Sequence, residues 1–336
     1  MTAIAYPSSD CAIKTVLYTF KLMASRRMLF LLYLEDGYTF KNTMAILKAV
    51  SDTATMILTT DSIEISVSNN EKNGIHFVKL QTGDFTKYVY NFIGENGELI
   101  PRRPISFDTK KLSNSMKSIG KKDGLRIYLT EGDNKLLVQP VKVSSDEHNN
   151  SSAIFVDIIN AEFVQITPPD IENRKPNVKV PSKSFTDMYS IVNTNNGSYI
   201  EIIGKEKSVT FIGKTSSNNL LYHRSFNSQI VIGGANNINE DFLVSQLKKL
   251  DMTETANQPV TEDVNNRVQL SVISPDDIVT VISPMQTLKP LSKIYNISGP
   301  NTQLKFYFTR NSSVMIESPI GNYGKYAIVI VNRQKS

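Results

Sequence analysis

The sequence predicts an α+β protein of two similar domains, each carrying two short helices on one face of a curved antiparallel sheet, joined by a long connector. Three observations lead there. A short amphipathic helix followed by β-hairpins occurs four times along the chain, and laying helices on one face of an antiparallel sheet buries the apolar side of both. A polar stretch near the middle separates two such pairs. The 336 residues, 40% of them hydrophobic, suffice for two packed cores.

Residues 1–27 have no clear period and read as an N-terminal extension, with Met23 and Met28 as alternative starts. Residues 28–34 follow Arg26 and Arg27, as the apolar part of a leader would. The run is short, contains Tyr33, lacks a small-residue cleavage site and passes into Glu35-Asp36-Gly37. It reads as a first strand.

A first helix is expected over residues 39–52, with Phe40, Met44, Leu47 and Val50 on one face. The second covers 108–119, with Asp108 as N-cap and a stripe of Leu112, Met116 and Ile119. The third covers 182–194, with Phe185, Tyr189 and Val192 in register. The fourth covers 283–295, with Leu288, Leu291 and Tyr295, and Pro284 in its first turn. Spacings of three, four and seven place each set on a single helical face.

Segments 63–67, 125–129 and 199–203 alternate as half-buried strands do, and 209–212, 304–308 and 326–331 complete the better examples. Gly132-Asp133-Asn134, Asn195-Asn196-Gly197 and Gly204-Lys205-Glu206-Lys207 supply turns. The first domain then spans 28–143, the connector 144–176 and the second domain 177–332. An irregular insertion at 233–266 interrupts the second domain and holds one expected helix at 239–250. The connector is polar over 144–152. It carries spaced apolar residues over 154–166 and ends at Pro168-Pro169, as a linker crossing the outer surface would.

Composition excludes several classes. Cys11 is the only cysteine, so no intrachain disulfide and no cysteine-based zinc site is expected. No stretch approaches the ~20 apolar residues of a membrane span. Phosphate-loop, nucleophile-elbow and zinc-protease motifs are absent, and His76, His148 and His223 are scattered. We therefore expect no enzyme, no cofactor and no metal. Lysine and arginine number 37 against 32 acidic residues, a net of +5. That balance permits a polyanionic partner without demanding one.

The order of segments resembles the sliding-clamp family that includes proliferating cell nuclear antigen (PCNA). The resemblance rests on Phe40-Lys41-Asn42-Thr43-Met44-Ala45-Ile46-Leu47-Lys48, then on Ser113-Asn114-Ser115-Met116-Lys117-Ser118-Ile119-Gly120 followed by Asp123. It continues with Val178-Lys179-Val180-Pro181-Ser182-Lys183-Ser184-Phe185, with Leu291-Ser292-Lys293, and with Ile320-Gly321-Asn322-Tyr323-Gly324-Lys325-Tyr326. It implies two clamp domains per chain and three chains in a ring, helices inward and sheets outward. It further implies double-stranded DNA as a non-sequence-specific partner, DNA polymerase and other clamp-binding proteins as further partners, and a nuclear or viral replication compartment. Asparagine- and lysine-rich usage and the insertions point to a divergent member, from a large DNA virus or a protist.

A ring that slides needs positive charge aimed at phosphates and no contacts that read bases. Lys41 and Lys48, seven apart, share a face opposite the Phe40–Leu47 stripe, and Lys110 and Lys117 repeat the spacing on the second helix. Lys111 and Lys121 flank that pair, Lys289 and Lys293 stand one turn apart, and Lys183 opens the third helix. Lys41, Lys48, Lys117 and Lys293 fall where the resemblance places channel lysines. Lys110, Lys183 and Lys289 follow from helical geometry.

For a partner-peptide pocket, the resemblance points to Ile75 and Phe77, to Ile166 and Pro168 in the connector, and to Ile328 and Val329. Plain core packing explains Phe77 and Ile328 equally well. Ile158, Ile159 and Phe163 need a reason to sit in a connector, either partner binding or stapling it down. For subunit pairing it points to an edge containing Leu136, Val138 and Pro140 and an opposing edge containing Val209, Phe211 and Lys214. Pro140 would delete one ladder donor there, and Pro290 would kink or shorten the fourth helix. Two other readings stay open: a monomeric clamp-fold replication or late-transcription factor, and a subunit of a checkpoint-type clamp built from unlike chains.

Overall fold

The computed structural model describes residues 26–69, 73–142, 153–159, 174–227, 277–299, 301–309 and 313–331. Residues 1–25 of the N-terminal extension, the 144–152 stretch, Phe163, Ile166, Pro168 and the 233–266 insertion lie outside the described residues.

The first half runs β1 (Met28–Leu34), α1 (Gly37–Lys48), β2 (Thr53–Leu58), β3 (Ser62–Ser68), β4 (Gly74–Gln81) and β5 (Lys87–Tyr90). It continues with β6 (Arg103–Asp108), α2 (Thr109–Ser115), β7 (Gly124–Thr130), β8 (Lys135–Val141) and β9 (Ile154–Ile159). The second half runs β10 (Val178–Pro181), α3 (Ser182–Thr194), β11 (Tyr199–Lys205), β12 (Ser208–Lys214), β13 (Leu220–Asn227) and β14 (Val279–Pro284). Then come α4 (Met285–Leu288), a 3-10 turn (Lys289–Lys293), α5 (Tyr295–Ser298), β15 (Gln303–Thr309), β16 (Ser313–Ile320) and β17 (Gly324–Val331).

The two halves repeat one topology. In the first, strands order as β4-β3-β2-β6 and β9-β8-β7-β1-β5; in the second, as β13-β12-β11-β14 and β17-β16-β15-β10. Even the register repeats: Ser62 pairs with Gln81 in the first half as Ser208 pairs with Asn227 in the second. The halves are joined by an antiparallel pairing of β17 with β4, centred on Ala327 opposite Phe77. One core results, with the helices' apolar faces laid on the sheets.

Local chemistry accounts for the helix starts. Asp36 caps α1 by accepting from the Thr39 N–H at 2.9 Å, and Asp108 caps α2 by accepting from Lys111 N–H at 2.8 Å. Gly37 is needed where α1 leaves β1, because a Cβ there would lie 2.8 Å from the Gly124 carbonyl carbon.

Several expectations are corrected. The fourth helix is not continuous: it breaks into α4, the 3-10 turn holding Pro290, and α5. Proline lacks the N–H an α-helix interior needs, and three residues per turn shift the phase of the residues beyond it. Ile294 and Ile297 therefore face the core, while Tyr295, expected on the apolar stripe, is exposed. The second helix is shorter than expected, ending in successive turns after Ser115. Ile154–Ile159, expected as connector, form β9, paired with β8 and, at Ile158 and Ile159, with β6. That pairing is the reason for the apolar Ile158 and Ile159.

The expected subunit edges are interior strands. β8 is flanked by β7 and β9, and Leu136 and Val138 are fully buried. β12 is flanked by β11 and β13; Val209 and Phe211 are fully buried, and Lys214 pairs with Glu201 at 3.0 Å. Pro140 lies beyond the last pair that β8 makes with β9, Val138 opposite Ile154, where a missing donor costs no bond on that side. Among the described strands β5, β10, β13 and β14 end their sheets, and the side of β9 away from β8 is open over residues 154–157.

Candidate nucleic-acid interface

The helices form one contiguous layer. α1 packs on α2 along one flank and on α5 and the 3-10 turn along the other, and α3 packs on that turn, α4 and α5. Asn42 reaches the Asn296 carbonyl at 3.5 Å, a bond between the halves, and within the second half Thr186 reaches the Ser292 carbonyl at 3.3 Å. The buried sides are those the spacing predicts: Phe40, Met44 and Leu47; Leu112, Met116 and Ile119; Phe185, Tyr189 and Val192; Leu288 and Leu291.

The opposite, solvent-facing side is lysine-rich. Lys110, Lys117, Lys183, Lys289 and Lys293 are exposed, as are Lys121 and Lys122 beyond α2. None of these makes an ion pair among the described residues. Asp187 on α3 is the single carboxylate in α1 to α5 and the 3-10 turn Lys289–Lys293. On the sheets acidic partners are present: Glu64 meets Arg102 at 3.3 Å and Lys79 at 3.8 Å, and Glu317 meets Lys305 at 2.9 Å. Asp157 meets Lys111 at 3.2 Å and Lys135 at 3.6 Å, and Lys111 first among them holds its carboxyl below the usual range. Among the described residues Lys87, Lys179, Lys205 and Lys325 on strands also make no ion pair, so what distinguishes the helical side is its shortage of carboxylates.

Lys41 and Lys48 differ from the rest. Both are half-buried at the seam between α1 and α2. Lys41 Nζ donates to the carbonyls of Lys117 at 2.9 Å and Ile119 at 2.7 Å, and it lies 5.5 Å from the centre of the Tyr38 ring. Lys48 Nζ donates to Asn114 Oδ1 at 3.4 Å. Spacing placed them on the correct face; only the packing of α2 shows where their amines go.

The expected partner pocket divides. Phe77 and Val329 share the sheets' outward face with Tyr307, Met315 and Ala327, and Ile75 packs beside them. Burial, then Glu317, pushes the Tyr307 phenol up to about 12. Ile328 is corrected: it is fully buried on the opposite face, within the main core, because successive strand residues alternate sides. Tyr307, Met315 and Ala327 complete this apolar cluster; Tyr307 and Ala327 lie on segments read from sequence as strands, 304–308 and 326–331, and Met315 lies on neither.

The chain has a PCNA-like clamp fold. Its structure superposes on PCNA from Entamoeba histolytica with a TM-score of 0.64 at 11% identity, covering 92% of this chain and 100% of that one. Against the PCNA2–PCNA3 complex from Sulfolobus tokodaii the TM-score is 0.59 at 12% identity, covering 90% and 99%. No protein-family model matches the sequence, and no curated protein matches it. Among the described residues of this clamp fold, no cluster of three or more His, Cys, Asp or Glu could hold a metal, and no helix is long and apolar enough to cross a membrane.

Proposed function

We propose that this chain is a sliding clamp: a ring subunit that encircles duplex DNA and tethers a DNA polymerase and other replication or repair enzymes, without catalysing a reaction. One observation carries the reading: a single helix layer of a clamp fold presents lysines, Lys111 excepted, that no acidic side chain among the described residues neutralises. Such amines contact phosphates as point charges on flexible stems. They leave base edges unread, which is what movement along DNA requires.

Ring closure is supported by the internal repeat. β17 pairs with β4 inside the chain. Their counterparts are β9, the last strand of the first half, which is open over residues 154–157, and β13, the fourth strand of the second, which ends its sheet. A second copy's β13 laid on this β9 would repeat the intramolecular joint, and the head-to-tail contact would continue until a ring closes. We infer a homotrimer. The outward apolar surface at the β4–β17 seam, with Ile75, Phe77 and Val329, is the candidate seat for partner peptides, together with Ile166 and Pro168 of the connector. The site of action would be the nucleus or a viral replication compartment.

The test is topological. The protein should be retained on nicked circular DNA and lost when the circle is linearised. Retention should fall steeply with salt and vanish when Lys110, Lys117, Lys289 and Lys293 are changed to Glu. Equal retention on circular and linear DNA would refute encirclement. Light scattering decides between the assemblies: a homotrimer supports this reading, and a stable monomer supports a clamp-fold factor acting without a ring. The similarity to a complex of two different PCNA chains keeps a heteromeric ring as the second reading. That reading requires a monomer that assembles only with an unlike partner.

A further inference from the structure

The lysine surface is uneven. Helix α2 and the turns after it carry Lys110, Lys117, Lys121 and Lys122 exposed, whereas the second half offers Lys183, Lys289 and Lys293, offset by Asp187 and interrupted by exposed Ile191 and Tyr295. The densest group lies on a turn that needs outside support. Within it, Lys117 N–H donates to the Asn114 carbonyl at 3.2 Å and Ile119 N–H to the Met116 carbonyl at 3.1 Å. Gly120 N–H is taken by Asp123 Oδ2 at 2.7 Å, and Lys142 holds the same oxygen at 2.5 Å.

The carbonyls of Lys117 and Ile119 accept no backbone N–H among the described residues. Their donor is the Lys41 ammonium, which arrives from α1. Carbonyls past a helix C-terminus are short of donors and carry partial negative charge, so a cation there is stabilising. Turning that amine toward a phosphate would break both bonds and its contact with the Tyr38 ring.

We propose that Lys41 is a positioning residue: its ammonium fastens the turn after α2, and through it Lys117, Lys121 and Lys122 meet the DNA phosphates while Lys41 itself does not. The proposal rests on the DNA-encircling reading and refines which lysines act in it. Conventional reasoning from helix spacing would give Lys41 the same role as Lys117, so the two accounts separate experimentally.

The experiment compares Lys41→Met and Lys41→Arg with Lys117→Gln, Lys121→Gln and Lys122→Gln in two measurements. Amide exchange in the DNA-free protein should quicken at Lys117, Ile119 and Gly120 in Lys41→Met and return toward the parent in Lys41→Arg. Binding to a short labelled duplex is then followed across salt concentrations. Each of the three glutamine variants should reduce the slope of log K against log salt by about 0.9. Lys41→Met should weaken binding several-fold at one salt concentration while leaving that slope unchanged. A slope reduced by about 0.9 in Lys41→Met, with turn amides undisturbed, would overturn the proposal. If the parent shows no salt-dependent binding at all, the DNA reading fails, while the exchange measurement still decides whether Lys41 fastens the turn.

Discussion

His76 shows how much one buried group can set. It is fully buried on β4, its Nδ1 bonded to the Tyr326 hydroxyl across the β4–β17 seam and its Nε2 without a partner among the described residues. Burial lowers its pKa from 6.5 to about 3. Between those values the unfolded chain binds a proton that the folded chain refuses. Its contribution to stability is therefore whole above pH 6.5 and is lost as pH falls through that window. The loss is at most about 1.4 kcal/mol per pH unit. Urea unfolding at neutral pH and at about pH 5 should show this drop in the parent and a smaller one in His76→Phe. Equal drops would remove His76 as the cause. Sequence shows His76 only as one of three scattered histidines, and its place at the seam was not legible, because Tyr326 is 250 residues away.

At the scale of elements, periodicity was a good guide wherever one face was buried. The stripes on α1, α2 and α3 lie against the core as spacing requires, and the strands at 63–67, 125–129 and 199–203 fall within β3, β7 and β11. The fourth helix departed because Pro290 imposed a 3-10 turn and shifted the phase. Close approaches were also invisible. Gly204 on β11 sits beneath Phe308, where an added Cβ would fall 2.3 Å from the ring. Phe308 is fully buried and has no room to retreat. Gly204→Ala should therefore cost about 1–3 kcal/mol through overpacking, whereas Gly83→Ala, with nothing within 4 Å, should leave the urea midpoint nearly unchanged. Equal midpoints for the two variants would show that this contact relaxes freely.

For the whole molecule, the repeat makes assembly a quantitative matter. His76 on β4 stands opposite Ile328 on β17. The hairpin registers map His76 onto Tyr222 and Ile328 onto Ile154, so an intermolecular joint should set Ile154 against Tyr222. Cysteines introduced at both positions should cross-link under oxidation into a closed covalent trimer, with nothing larger on a denaturing gel. Monomer alone, with both thiols free, would exclude this pairing. The two strands that sequence put at edges, β8 and β12, are interior strands. Alternation identifies a strand but does not number its neighbours, so an edge strand and its inner neighbour look alike.

By itself the sequence determined where helices and strands form, which side of each is apolar, and that lysines lie on the helices' wet faces. Those properties follow from residues three, four or two positions apart, within reach of local geometry. Only the tertiary structure decided which strands end a sheet, that Ile328 faces inward while Val329 faces out, and that Lys41 spends its amine on carbonyls 76 and 78 residues away. Those facts depend on which distant segments are brought together, and no period along the chain encodes that choice.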